Sequence, residues 1–211
     1  MVAPAMTGAE RISIVDGAAD SAQIAAFERD RRELIRRGLA FGGAVAAASS
    51  IPLLLSVRNA FAAGDNDADI LKSAITLERT AVLVYGAAID SKLLSEGFGE
   101  VARRFRDHEK EHADALITAL TDLGGTPPAP PSAKDIEGLN DLKSQGDVAN
   151  FAIELEMASL AAYYDAQGKL ADAKLLQAGA SIMANEAQHL VVLRQTVKRD
   201  RVPNAFETGA K

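Results

Sequence analysis

Two tetrapeptides in this chain share one frame, Glu109-x-x-His112 and Glu186-x-x-His189, and they stand 77 residues apart. Residues three apart share a face of an α-helix, so each frame aims a carboxylate and an imidazole in one direction. A second pair of segments repeats at almost the same distance. Leu77-Glu78 is followed by Tyr85 seven residues after the Glu, and Leu155-Glu156 is followed by Tyr163 at the same spacing, an offset of 78. The chain therefore reads as one helical hairpin given twice. A fold that uses both copies must pack them with their acidic faces opposed.

The periodicity from Asp67 onward is that of α-helix. A first helix is expected over 67–94, capped by Asp67, with Ile70, Ala74, Leu77, Val82 and Ile89 on or near its buried side. A turn at Ser95-Glu96-Gly97-Phe98-Gly99 leads to a second helix over 100–123, stopped by Gly124-Gly125. Then come four prolines in five positions, Pro127, Pro128, Pro130 and Pro131, which exclude both helix and central strand. Irregular chain continues to about Gly146, with a short helical turn allowed within 132–142. The third helix is expected over 147–167 and the fourth over 170–198.

A connection of some twenty residues is long for a compact domain and needs a topological reason. Short, long, short is the connectivity of two hairpins joined by one overhand crossover. The expected fold is all-α, an antiparallel four-helix bundle over 67–200 with its long crossover between helices two and three. A polar tail over 201–211 contains Pro203 and is too short for a long fifth helix.

Such a bundle turns Glu78, Glu109, Glu156 and Glu186 toward one axis with His112 and His189. Four carboxylates offset two divalent cations, and oxygen-rich sets with one nitrogen per ion suit iron or manganese. Shared carboxylates would hold the ions about 3.5–4 Å apart. The chain has no cysteine, which removes disulfides, thiolate metal sites, iron–sulfur clusters and cysteine nucleophiles.

Neighbouring residues compete for these roles. Glu154 is a rival to Glu156, but two residues turn a helix by about 200°, and the Tyr163 phasing selects Glu156. Glu111 falls off the Glu109–His112 face. Tyr85 and Tyr163 lie two turns, about 10.5 Å, past their glutamates, where each could bond a ligand from a facing helix or relay an electron. His108 is expected beside the site or on the helix surface rather than as a seventh ligand. Asp107 and Asp114 are candidates to orient the imidazoles, and Met157 and Met183 read as core.

The first 62 residues have another character. A polar stretch through Arg37 contains Arg31-Arg32-Glu33-Leu34-Ile35-Arg36. An uncharged, Ala- and Gly-rich segment over 38–57 follows, and then Arg58-Asn59-Ala60-Phe61-Ala62. Paired arginines, one residue, two aliphatics and a basic residue resemble a twin-arginine export signal, with cleavage near Ala62. Asp30 departs from the usual Ser or Thr. Export to the periplasm or cell envelope is the expectation, with the twin-arginine machinery as partner. A retained membrane anchor is the alternative, since twenty uncharged residues can span a bilayer. The formal net charge is −6, with no basic stripe interleaved with aromatics, so nucleic-acid binding is excluded.

Taken together, 67–198 resembles the ferritin-like di-metal carboxylate superfamily of ferritins, bacterioferritins, rubrerythrins and manganese catalases. Within it the chain is similar to exported bacterial ferritin-like domain proteins related to desiccation-associated ones. The resemblance implies Glu78, Glu109, His112, Glu156, Glu186 and His189 as ligands of two metal ions, iron first and manganese second. It implies redox chemistry with peroxide or dioxygen, or oxidation of ferrous iron, in stress protection. The competing expectation is a non-catalytic envelope module with a structural metal. Lack of cysteine removes a rubredoxin module, and the short tail argues against a mineral-storing cage while allowing a homodimer.

Overall fold

The computed structural model describes residues 66–209, with Arg29 and Gly64 as isolated positions. The export signal expected over 1–62 lies outside the described run. Within the run 66–209 the described residues form four α-helices: α1 Asp67–Asp90, α2 Glu96–Asp122, α3 Gln145–Gln167 and α4 Ala173–Thr196. No strand occurs among the described residues. The all-α bundle with one long crossover is thus the observed architecture. Among the described residues, no helix is long and apolar enough to cross a membrane.

Local chemistry moves several helix ends from their expected places. Asn66, not Asp67, caps α1, its side chain accepting the Asp69 amide. Asp67 is thereby released to accept the backbone amides of Ala171 and Asp172 at 2.8 and 2.9 Å, tying the start of α1 to the α3–α4 loop. α2 begins at Glu96 instead of 100, because Ser95 accepts the Phe98 amide and starts the helix at once. Gly97 and Gly99, expected in a turn, lie inside its first turns.

The Gly124-Gly125 stop is a Schellman ending. Gly124 has φ +76, the Gly125 amide reaches the Leu120 carbonyl at 2.9 Å, and the Gly124 amide reaches that of Thr121 at 2.8 Å.

The crossover carries two short 3-10 segments, Ala133–Asp135 and Leu139–Asp141, rather than a single helical turn. Ile136 and Leu139 anchor it by entering the core, and the Arg79 guanidinium donates to the Pro128 carbonyl. Inside, Ile75, Leu77, Leu120, Leu155, Leu160, Leu190 and Leu193 are fully buried. Of the expected core residues, Ile70, Ala74, Leu77 and Met157 are buried, whereas Val82, Ile89 and Met183 pack half-exposed at its margin.

The tail after α4 is more ordered in its contacts than its polarity suggests. Arg194 is buried and pairs with Glu207 at 2.6 Å. Gly209, also buried, sits with φ +70 against α3. A Cβ there would collide with the Met157 carbonyl and come within 2.6 Å of the Ala161 amide. Gly209→Ala is therefore expected to release the tail and cost about 1–3 kcal/mol of stability. Faster tryptic cleavage at Arg199 and Arg201, with a lowered melting temperature, is the measurement.

Candidate metal centre

Each helix contributes one fully buried glutamate near its middle: Glu78 from α1, Glu109 from α2, Glu156 from α3 and Glu186 from α4. His112 and His189 stand one turn after the glutamates of α2 and α4. These six residues form two overlapping groups, each with ligand atoms within 4.8 Å of one another. One group is Glu78, Glu109, His112 and Glu186. The other is Glu109, Glu156, Glu186 and His189. Glu109 and Glu186 belong to both, so they are placed to be shared, while Glu78 with His112 and Glu156 with His189 flank them.

The two halves mirror each other in their contacts. His112 Nδ1 lies 3.3 Å from Glu109, 3.4 Å from Glu78 and 3.4 Å from Glu186. His189 Nδ1 lies 3.1 Å from Glu109, 3.3 Å from Glu156 and 3.8 Å from Glu186. The tyrosine hydroxyls cross between hairpins: Tyr85 donates to Glu156 and Tyr163 donates to Glu78. Helical side chains lean back toward the N-terminus, which lets a tyrosine close the two-turn rise to the glutamate level. The tyrosine role expected from the spacing, bonding a carboxylate of a facing helix, is what the structure has.

Only part of this closeness is hydrogen bonding: His112 Nδ1 meets Glu109 Oε2 at 3.3 Å, and the tyrosines hold Glu156 and Glu78. Glu109 Oε1, Glu156 Oε2, both Glu186 oxygens and His189 Nδ1 are buried without a hydrogen-bond partner, because they aim at a common centre instead of along one another's bonds. Buried polar atoms in native proteins are almost always satisfied, and leaving several bare in an apolar bundle is costly. Four carboxylates and two imidazoles turned inward in this way fit two divalent cations.

Without cations, protons must balance the cluster. Burial, with Glu109 as a neighbouring charge, pushes Glu78 up to about 8 despite the opposing His112. Burial and the charges of Glu109 and Glu156 push Glu186 well above the carboxylate range. For Glu109, burial is outweighed by His112 and His189, which hold it low at about 2. Burial lowers both histidines, but the carboxylates prevail and raise His112 to about 10 and His189 to about 9. Burial and nearby carboxylates also keep Tyr85 and Tyr163 protonated far into the alkaline range.

Of the residues weighed beside the six, Glu111 is exposed and Glu154 half-exposed, both away from the centre. Asp107 and Asp114 do not orient the imidazoles. They are drawn off by neighbouring cations, Asp107 to Arg106 at 2.8 Å and Asp114 to Lys110 at 2.6 Å, on the exposed face of α2. The residue that does reach a centre imidazole is His108, whose Nδ1 lies 3.0 Å from His189 Nε2. Its place one turn before His112 put it near the site, but only the packing of α2 against α4 reveals its partner.

Comparison with known proteins bears on the family and the fold. A sequence profile for the ferritin-like domain matches residues 66–199. No curated protein matches the chain in sequence. Among solved structures, the chain is similar to a conserved hypothetical protein from Mycobacterium tuberculosis, with a TM-score of 0.54 and 17% identity. That match covers 72% of this chain and 99% of the other, and at such identity it bears on the fold alone.

Proposed function

The chain belongs to the ferritin-like domain family, and from that premise we propose that it is an exported two-metal carboxylate protein acting on peroxide, dioxygen or ferrous iron in stress protection. The observation that carries this reading is the pair of overlapping ligand groups sharing Glu109 and Glu186. Iron is the first choice of metal and manganese the second. Two such ions would supply one electron each, the pair that reduction of peroxide to two waters requires.

The residues divide the work. Glu109 and Glu186 belong to both ligand groups and would be the carboxylates held in common by the two ions. Glu78 with His112, and Glu156 with His189, complete the set on either side. Tyr163 and Tyr85 hold Glu78 and Glu156 by their hydroxyls, fixing one oxygen of each and leaving the other for a cation. Their rings also offer an electron route out of the centre. The His112 side chain is 15% exposed, so this edge of the centre borders solvent and can admit a small polar oxidant.

Export rests on the Arg31-Arg32 pattern and the Ala60-x-Ala62 site. A signal that carries folded cargo lets a protein acquire its cations before leaving the cytoplasm. Retention by an uncleaved anchor is the alternative placement.

The test is turnover. Full-length protein loaded with iron or manganese is expected to consume hydrogen peroxide, or to oxidise added ferrous iron, faster than the same protein with Glu186→Gln. Metal binding that raises the melting temperature without any turnover would replace this reading with that of a structural metal in a non-catalytic envelope module.

A further inference from the structure

The two halves of the centre repeat each other except around one imidazole. The 77-residue offset that carries His112 onto His189 carries His108 onto Asn185 and Phe105 onto Ile182. An imidazole and a phenyl ring thus stand in one half where a carboxamide and an aliphatic chain stand in the other. Both aromatic groups pack on His189. The Phe105 ring stacks on it at a centroid distance of 3.8 Å and 21°. The His108 ring lies near-parallel to it at 5.3 Å and 13°, joined by the 3.0 Å contact between His108 Nδ1 and His189 Nε2. Among the described residues, no aromatic ring stacks on His112.

We propose that His108 positions His189 and thereby makes the two cation positions unequal. Glu156–His189 is the tightly held position, and Glu78–His112 is the one that exchanges its divalent cation with solvent. The inference rests on the two-metal reading above and deepens it.

The chemistry follows from the two nitrogens of each ring. His189 turns Nδ1 to Glu109 and Glu156, so with that lone pair used for a cation its proton sits on Nε2 and is donated to His108 Nδ1. A hydrogen bond to the far nitrogen fixes the tautomer and ring orientation of a ligand histidine, and losing it typically costs 10–100-fold in metal affinity. The Phe105 face adds steric fixation and excludes water. The side-chain exposure of His189 is 2%, against 15% for His112. One imidazole is therefore prearranged and dry, and the other borders solvent.

Cobalt(II) titration of the metal-free full-length chain, followed by calorimetry and visible absorption, tests this. The wild type is expected to bind two ions in two steps separated by at least about tenfold in affinity. His108→Ala should weaken the tight step by about 10–100-fold and leave the weak step nearly unchanged. His108→Asn, whose carboxamide oxygen can accept in place of Nδ1, should retain most of the gap, and it keeps the test open if the alanine variant folds poorly. Two equal steps in the wild type overturn the inference. So does an equal loss at both steps in His108→Ala, or an asparagine variant no better than alanine. A chain that binds no cobalt contradicts the two-metal reading itself.

Discussion

Glu109→Gln and Glu186→Gln are each expected to abolish binding at both cation positions, whereas Glu78→Gln or Glu156→Gln removes only one. The difference follows from membership: Glu109 and Glu186 belong to both ligand groups, and Glu78 and Glu156 to one apiece. The loss should exceed the roughly 10–100-fold caused by changing an outer hydrogen-bond partner, because a charged donor atom itself is removed. Glutamine keeps the shape of the carboxyl, so folding serves as the control. Glu186 already prefers its protonated form in the metal-free bundle, through burial and the charges of Glu109 and Glu156. Metal-free Glu186→Gln should accordingly melt no lower than the parent at neutral pH. Elemental analysis after gel filtration, beside melting curves with and without added metal, separates lost capacity from lost fold. A shared-glutamate variant that still holds one ion tightly would refute the sharing.

The second large effect is on pH. In the metal-free chain, protons occupy the cluster on Glu78, Glu186, His112 and His189. Cations compete with those protons, so the apparent affinity should rise with pH between about 6.5 and 8, by about tenfold or more per unit.

Stability of the metal-free protein should run the opposite way. His112 and His189 have folded values of about 10 and 9, above the ordinary 6.5. Their contribution is complete below about 6.5 and is lost as pH climbs through 9 to 10. Glu78, raised from 4.5 to about 8, favours its neutral form in the fold, so its ionisation also lowers stability as pH rises through that interval. Glu109 acts in reverse only at the acid end, where stability falls between about 4.5 and 2. The melting temperature gained on metal loading should therefore widen as the buffer is moved from pH 6.5 to 9. A gain that is flat or narrows over that range would contradict proton–metal competition.

Why the six centre residues were legible before any fold is a matter of period. Glu and His three apart must share a helical face, and the near-equal offsets of 77 and 78 residues left one register for both hairpins. The prolines of 127–131 made the crossover equally visible, because a chain without amide donors builds neither helix nor sheet.

Features set by contacts between distant segments were not legible. His108 and His189 are 81 residues apart, and nothing in the periodicity of either helix pairs them. Spacing alone does not tell whether Asp107 and Asp114 face the imidazoles; Arg106 and Lys110 hold them at the surface. The early start of α2 was hidden by its glycines, whose low helix propensity is overridden by the Ser95 cap and by packing of Phe98 and Ala102. The polar tail gave no sign that Gly209 would lie against the α3 backbone, since that fit depends on the absence of a side chain.

Everything above turns on whether this bundle holds two cations between four glutamates and two histidines. The most direct measurement is quantitative metal analysis of the full-length protein purified from its native host. About two iron or manganese ions per chain are expected, lost from protein carrying Glu109→Gln or Glu186→Gln. Protein that is folded yet free of stoichiometric transition metal would contradict the two-metal reading.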